Sequence, residues 1–403
     1  MNNPIPREIK TVCILSCLLG LEDSHIQFFA DVISSQGYPL RLICPGTVPE
    51  TLTGRDITHF ALPTPTRHFE AGSSAVNITS GLWQRLRNSI TAYRQLLKTK
   101  PDIVLCTQPD SWWIAICAKR KLHNKVVVNL LEIYEDRASA FPKFLRPVIR
   151  KILRSTLRSL ARSTDEVIHV SRARQAHYNY LEKPGEIISF FPRLADLKLG
   201  LVKKMGNLVT IVQAGGLTWS YGADQLLEAI PLAKAKCPET HFLVIGRTRS
   251  ELKNLSLLKK LVEEGTLEII ENVPHAEVLQ IMQKCDIGIN LVLPLGQTYL
   301  LAMPRKFFEY LAVGIPVVAA DMPTLREVID LHECGVLVDP ESPQSIAEGI
   351  IKLAADDGLR RRMGSSGRLA AEKCYNGEIE SRKISALFAR LSGRGETTRV
   401  NQP

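Results

Sequence analysis

The chain has 403 residues, 45% of them apolar and 23% charged, which is long for one compact domain and comfortable for two. With 51 Lys and Arg against 41 Asp and Glu it carries a net charge of +10, which favours anionic partners wherever that charge is concentrated. No run of 18 apolar residues occurs, which excludes a helix that spans a membrane, and the nine scattered cysteines include no Cys-x-x-Cys pair, which argues against a zinc site or a disulfide framework.

The first segment, MNNPIPREIKTVCILSCLLG, has little charge ahead of its apolar part and no small-residue cleavage site, so it reads as a first strand rather than a signal peptide. Apolar runs at 11–18, 40–45, 102–106, 125–130 and 166–170 are expected as buried parallel strands, with helices at 23–36, 79–99, 110–121 and 171–182. The pattern breaks near 191 at FFPRLAD and restarts with strands at 208–216, 241–246, 267–273, 286–292, 315–320 and 335–338. Continuous apolar strands joined by helical crossovers imply an α/β chain with two doubly wound parallel sheets. The expected domains are 1–195 and 206–377, with a final helix at about 378–395 packing back on the first. Ligands in such sheets bind beyond the carboxyl ends of the strands, and with two facing domains the default site is the cleft between them.

Two stretches carry chemistry. In FPKFLRPVIRKILRSTLRSLARS (141–163), Arg146, Arg150, Arg154, Arg158 and Arg162 recur every four residues beside an apolar side of leucines and isoleucines. Such a helix suits an anionic membrane surface, or else is a solvated face; no aromatic stacking platform accompanies it, so nucleic acid is not expected. In PRKFFEYLAVGIPVV (304–318), Pro304 suits the first helical turn, Gly314 closes the helix and Pro316 stops it. Arg305, Lys306 and Glu309 share roughly one face, while Phe307, Phe308 and Leu311 point to the core. Two readings stand side by side: an intrahelical ion pair, or an anion site at the helix start with Glu309 accepting hydrogen bonds from a polyol such as ribose.

The segment MPRKFFEYLAVGIPVVAADMPTLREVI resembles the signature of glycosyltransferase family 4, whose GT-B fold sets two Rossmann-like domains about a central cleft. GGLTWSYGADQLLEAI (215–230), HFLVIGR (241–247), PHAEVLQIMQKCDIGINL (274–291) and ECGVLVDPESPQSIAEGI (333–350) follow in family order. In the first half, EDSHIQFFADVISSQGYPLRLIC and LLEIYED resemble a branch that acts on membrane or secreted glycans. The resemblance implies a retaining, hexosyl-type transferase that moves a sugar from a nucleotide-diphosphate donor to a glycan, lipid-linked or small-molecule acceptor. It implies that Glu309 binds the donor ribose and that the leaving diphosphate takes the acceptor's proton. No glycosidase-type carboxylate pair is then required. Neither a cofactor nor a metal is expected, and the sequence offers no clear Asp-x-Asp between apolar strands.

The chain departs from the family at three places. Leu301 stands where a second glutamate contacts the transferred sugar, and Gly216 and Tyr221 stand where an arginine and a lysine clamp the diphosphate. A histidine near the end of the fourth strand is replaced by Asn129, Leu130 and Leu131, with Glu132 beside them. Arg305 and Lys306 are the expected substitute cations, with Arg247 more distant, and Gly215 and Gly216 leave room for backbone N–H groups at a phosphate. His25 is the best remaining histidine for the donor phosphates or acceptor, and His169 reads as structural. The expected catalytic set is therefore His25, Arg305 and Lys306; the expected donor-binding set is Glu309, Gly215, Gly216, Arg247, Pro304 and Lys306. The expected partners are a nucleotide-diphosphate sugar, an acceptor that is lipid-linked in the favoured reading, and an anionic cytoplasmic membrane surface met by 141–163. The departures keep open a catalytically weak or inactive homologue that acts as a partner or regulator. A sugar-nucleotide epimerase is a third reading, and KFFEYLAVGIPVV argues against it.

Overall fold

The computed structural model describes residues 10–17, 23–63, 75–197 and 208–393. The chain divides into two compact units, one of residues 1–189 with 380–403 and one of residues 190–379. Residues 198–207, where the expected junction falls, lie outside the described residues.

The first unit is a seven-stranded sheet of β1 (Val12–Leu15), β2 (Leu40–Cys44), β3 (Ile57–Ala61), β4 (Ile103–Cys106), β5 (Lys125–Leu130), β6 (Glu166–His169) and β7 (Glu186–Ile187). The second is a six-stranded sheet of β8 (Val209–Ala214), β9 (Thr240–Ile245), β10 (Leu267–Ile270), β11 (Ile287–Asn290), β12 (Val317–Ala320) and β13 (Gly335–Val338). Every pairing is parallel, and the orders are β3-β2-β1-β4-β5-β6-β7 and β10-β9-β8-β11-β12-β13. In each sheet the order reverses at the first strand, β1 or β8, and such a switch point opens a crevice at the strands' carboxyl ends. The inner strands are apolar along their length because helices cover both faces.

Two strands go beyond the sequence reading. β3 is an edge strand of mixed exposure, so its apolar signal is diluted, and β7 has only two residues. The stretch expected as one helix at 171–182 is a short helix, Arg172–His177, followed by a tight turn at Tyr178–Leu181.

The final helix, Gly377–Ser392, contributes to both units, since residues from Glu380 onward belong to the first. Its buried Ile384, Leu387, Phe388 and Leu391 lie on one stripe. Lys125 Nζ donates to the Leu391 carbonyl at 2.8 Å, and Arg390 pairs with Glu166 at 2.9 Å and Glu186 at 2.8 Å. The buried Glu380 carboxylate accepts from the Ser189 N–H at 2.9 Å.

Candidate active site

The second unit's site is built on the helix Arg305–Val313. Pro304 is its N-cap at φ −66°, immediately ahead of the first helical residue, so its missing N–H costs nothing. Gly314 ends the helix at φ 83°, where its N–H bonds the Tyr310 and Leu311 carbonyls at 3.1 and 3.0 Å. Phe307, Phe308 and Leu311 are fully buried. Tyr310 ties the helix to the sheet: its hydroxyl donates to the Val212 carbonyl at 3.1 Å and accepts from the Ala214 N–H at 2.8 Å, and its ring fills the space left by Gly288. The helix start is thereby fixed at the carboxyl ends of β8 and β11.

Glu309 lies one turn in and is only 4% exposed. Its Oε1 accepts from His275 Nε2 at 2.8 Å and pairs with Arg305 Nε at 2.8 Å; Oε2 takes part in neither contact. Burial alone would raise the carboxyl's pKa. The His275 hydrogen bond, with the charges of Arg305, His275 and Lys306, outweighs burial and leaves it below the ordinary carboxylate value. Glu309 is therefore an anion at neutral pH, held in place by a histidine that begins another helix, His275–Met282. The Arg305 pair exists, and one carboxylate oxygen is left over.

Lys306 is half-buried, and its ammonium lies 4.6 Å from the centre of the Tyr221 ring. Burial lowers its pKa to about 8, against the opposing charge of Glu309. Gly215, at φ 95°, is the other wall: a Cβ there would overlap the Lys306 ammonium. The N–H groups of Gly215 and Gly216 both donate to the Ile245 carbonyl, at 2.6 and 2.9 Å, so in this structure they serve close approach rather than anion donation. Gly216 in turn backs onto the backbone of Arg247, whose side chain is exposed. Leu301 caps the short helix Gln297–Leu300 ahead of the site.

The structure thus brings together Glu309, Arg305, Lys306, Gly215, Gly216 and Pro304, with Arg247 at their edge. His25 belongs to the first unit. It lies in the first turn of the helix Ser24–Ser35, half-buried, with Nδ1 3.2 Å from the capping Asp23. His169 is buried beside Tyr178, and burial lowers its pKa to about 4, so it stays neutral.

Three residues at the site were not read from the sequence as functional. His275 reaches Glu309 across 34 positions, which no local pattern reveals. Tyr221 acts as a ring facing a cation, where it read only as a missing lysine. Asn290, the last residue of β11, is buried with neither amide atom hydrogen-bonded. It shares the face of Gly288, and hence of Tyr310, by strand alternation.

Comparison with known proteins decides what this arrangement belongs to. The family described as Glycosyltransferase Family 4 matches residues 24–196, and the family described as Glycosyl transferases group 1 matches residues 202–370. The chain is a family 4 glycosyltransferase. The phosphatidyl-myo-inositol mannosyltransferase of Mycobacterium tuberculosis is 22% identical over 411 aligned positions, covering 94% of this chain and 96% of the relative. A GDP-mannose-dependent monoacylated alpha-(1-6)-phosphatidylinositol monomannoside mannosyltransferase of Corynebacterium glutamicum is 25% identical over 225 positions, 52% of this chain and 56% of the relative. Among solved structures, Anabaena HepE in complex with UDP and glucose matches the fold with a TM-score of 0.66 at 15% identity, covering 94% of this chain and all of that one. These likenesses make the two parallel-sheet units a GT-B architecture and the chain a transferase of sugars.

The first unit of this glycosyltransferase carries the arginine helix, Arg146–Ser163. Its Leu157 and Leu160 are buried, but Phe144, Val148 and Ile152 are exposed at 78%, 55% and 55%. Arg154 pairs with the buried Glu135 at 3.3 Å, and Arg158 with Glu182. Arg150, Lys151 and Arg162 face solvent. A groove of about 490 Å³ runs alongside, lined by Leu86, Trp113, Leu153, Leu157, Leu160 and Arg85 among others. No described helix is long and apolar enough to cross a membrane.

Proposed function

We propose that this glycosyltransferase transfers a sugar, with retention, from a nucleotide-diphosphate donor held by the second unit to a lipid-linked acceptor. The observation that carries the reading is Glu309: a buried anion fixed through one oxygen, next to a half-buried cation and at the carboxyl ends of β8 and β11. Glu309 Oε2 accepts the ribose hydroxyls. Lys306, with Arg305 behind it, meets the diphosphate oxygens, whose charge grows as the bond to the sugar breaks. In the transfer, the bond between the sugar C1 and the phosphate oxygen breaks and a bond from C1 to the acceptor oxygen forms. The acceptor's proton passes to the leaving diphosphate, so the protein need supply no base. The protein's part is to position and to neutralise charge. The relatives named for GDP-mannose and phosphatidylinositol substrates support a nucleotide donor and a lipid acceptor, and HepE was solved with UDP.

The arginine helix supports the acceptor side of the reading. Exposed Val148, Ile152 and Phe144 beside the solvent-facing Arg150 and Lys151 suit insertion at an anionic, cytoplasmic leaflet. The test is thermal stabilisation by UDP, GDP and their sugars, followed by donor hydrolysis. A ligand that binds only the folded chain raises its melting temperature by mass action. Stabilisation of the wild type by one nucleoside diphosphate, lost in Glu309→Ala, is expected. A folded Glu309→Ala with unchanged affinity overturns the assignment.

A further inference from the structure

We propose that Tyr221 is a positioning residue: its ring holds the Lys306 ammonium against Gly215, ready for the donor diphosphate, without neutralising it. The proposal rests on the donor-binding reading above.

Lys306 begins in the first turn of its helix, where a cation meets the positive end of the dipole. Its ammonium is half-buried and makes no hydrogen bond or ion pair among the described residues. An ammonium in that position is costly unless something else holds it. What holds it is a π-face, at 4.6 Å from the ring centre, opposite a residue with no side chain. A carboxylate in place of Tyr221 would spend the charge and the N–H groups on itself. A ring leaves all three N–H bonds available for an incoming oxyanion. The ring is itself fixed. The turn Trp219–Tyr221 ends at Gly222, at φ 63°, and the Leu293 N–H donates to the Ser220 carbonyl at 3.0 Å, which pins the turn to the chain that follows β11. Burial raises the phenol's pKa, so the ring stays neutral and its face electron-rich.

The charged groups around Lys306 are Glu309 and Arg305 on its own helix, His275 behind Glu309, and Arg247 on the chain after β9. Among the described residues Tyr221 presents an aromatic face to the ammonium, opposite the backbone of Gly215. A substitution that removes the ring should take away the π-face that favours the charged ammonium and weaken its placement.

The experiment titrates wild type, Tyr221→Phe and Tyr221→Leu with UDP and GDP, and with uridine and guanosine as controls, from pH 7 to 9.5. Tyr221→Phe should keep the wild-type affinity and its decline as pH rises through about 8. Tyr221→Leu should bind the diphosphate about tenfold more weakly and bind the nucleoside unchanged. Equal loss of nucleoside and diphosphate would mean a structural role and overturns the proposal, as does a Tyr221→Leu identical to wild type. If Tyr221→Leu fails to fold, Tyr221→Gln takes its place with Tyr221→Trp as the ring-retaining partner, read by the same criteria. Wild type that binds no diphosphate at all rejects the donor reading and this proposal together. Wild type that binds with no response to the ring's loss rejects this proposal alone.

Discussion

The two units use charge in opposite ways. The second unit gathers Arg305, Lys306, His275 and Glu309 into one partly desolvated cluster at the carboxyl ends of its strands. The first unit spreads its cations along an exposed helix, where two arginines are taken up by Glu135 and Glu182 and others face water. Clustered, buried charges interact strongly and resist salt; exposed ones act over about 8 Å at physiological ionic strength. The difference fits the partner proposed for each unit: one small, geometrically fixed anion for the second, a broad anionic surface for the first.

The contrast breaks most visibly at Glu309. Glu309→Ala removes the buried carboxylate that holds Arg305 and His275, both partly exposed, and losing hydrogen bonds to a charged group typically costs about 1.5–3 kcal/mol. The melting temperature should fall by roughly 5 °C, with nucleotide affinity falling as well. A variant that melts like wild type would mean that the cluster is no more strongly coupled than a surface pair. A smaller break is Gly215→Ala. Forcing a Cβ into a left-handed backbone costs about 1–2 kcal/mol, and the new methyl displaces the Lys306 ammonium. Diphosphate affinity should drop while nucleoside affinity holds, as isothermal titration would show.

The first unit sharpens the contrast through salt. Arg150→Gln and Lys151→Gln should each weaken binding to anionic vesicles by about 1 kcal/mol, since both cations face solvent. Arg158→Gln should have less effect, because Glu182 already holds that charge. Co-sedimentation at rising salt checks both, and wild type that ignores anionic vesicles removes the membrane role. A further effect concerns pH. Lys306 has a folded pKa of about 8 against an ordinary 10.5, so between these values the unfolded chain binds more protons. Stability should therefore rise from pH 8 to 9.5 in wild type relative to Lys306→Met, measured as the urea midpoint.

Much of the fold was legible because both sheets are parallel and covered on both faces. Their inner strands are unbroken apolar runs, which is a strong local signal. The edges were not legible: no residue of β3 is fully buried, and β7 is two residues long. At the site, the helix from Arg305 to Gly314 could be read from Pro304, Gly314 and Pro316, since caps are local chemistry. His275 and Tyr221 could not, because their roles come from contacts across 34 and 85 positions. The arginine helix shows the same limit. A four-residue spacing identifies the stripe, but only tertiary neighbours reveal that Arg154 and Arg158 already have carboxylate partners.

The final helix has a consequence for how this protein is made. The strands of the first unit are complete by residue 187, yet Lys125, Glu166 and Tyr38 find their partners at residues 390–392. About 190 residues of the second unit are synthesised in between. At roughly 5–20 residues per second, translation leaves the first unit without that helix for about 10–40 s. During that interval the side chains of Ile384, Leu387 and Phe388, buried in the finished fold, are not yet in place, and apolar surface left open in this way is prone to aggregate.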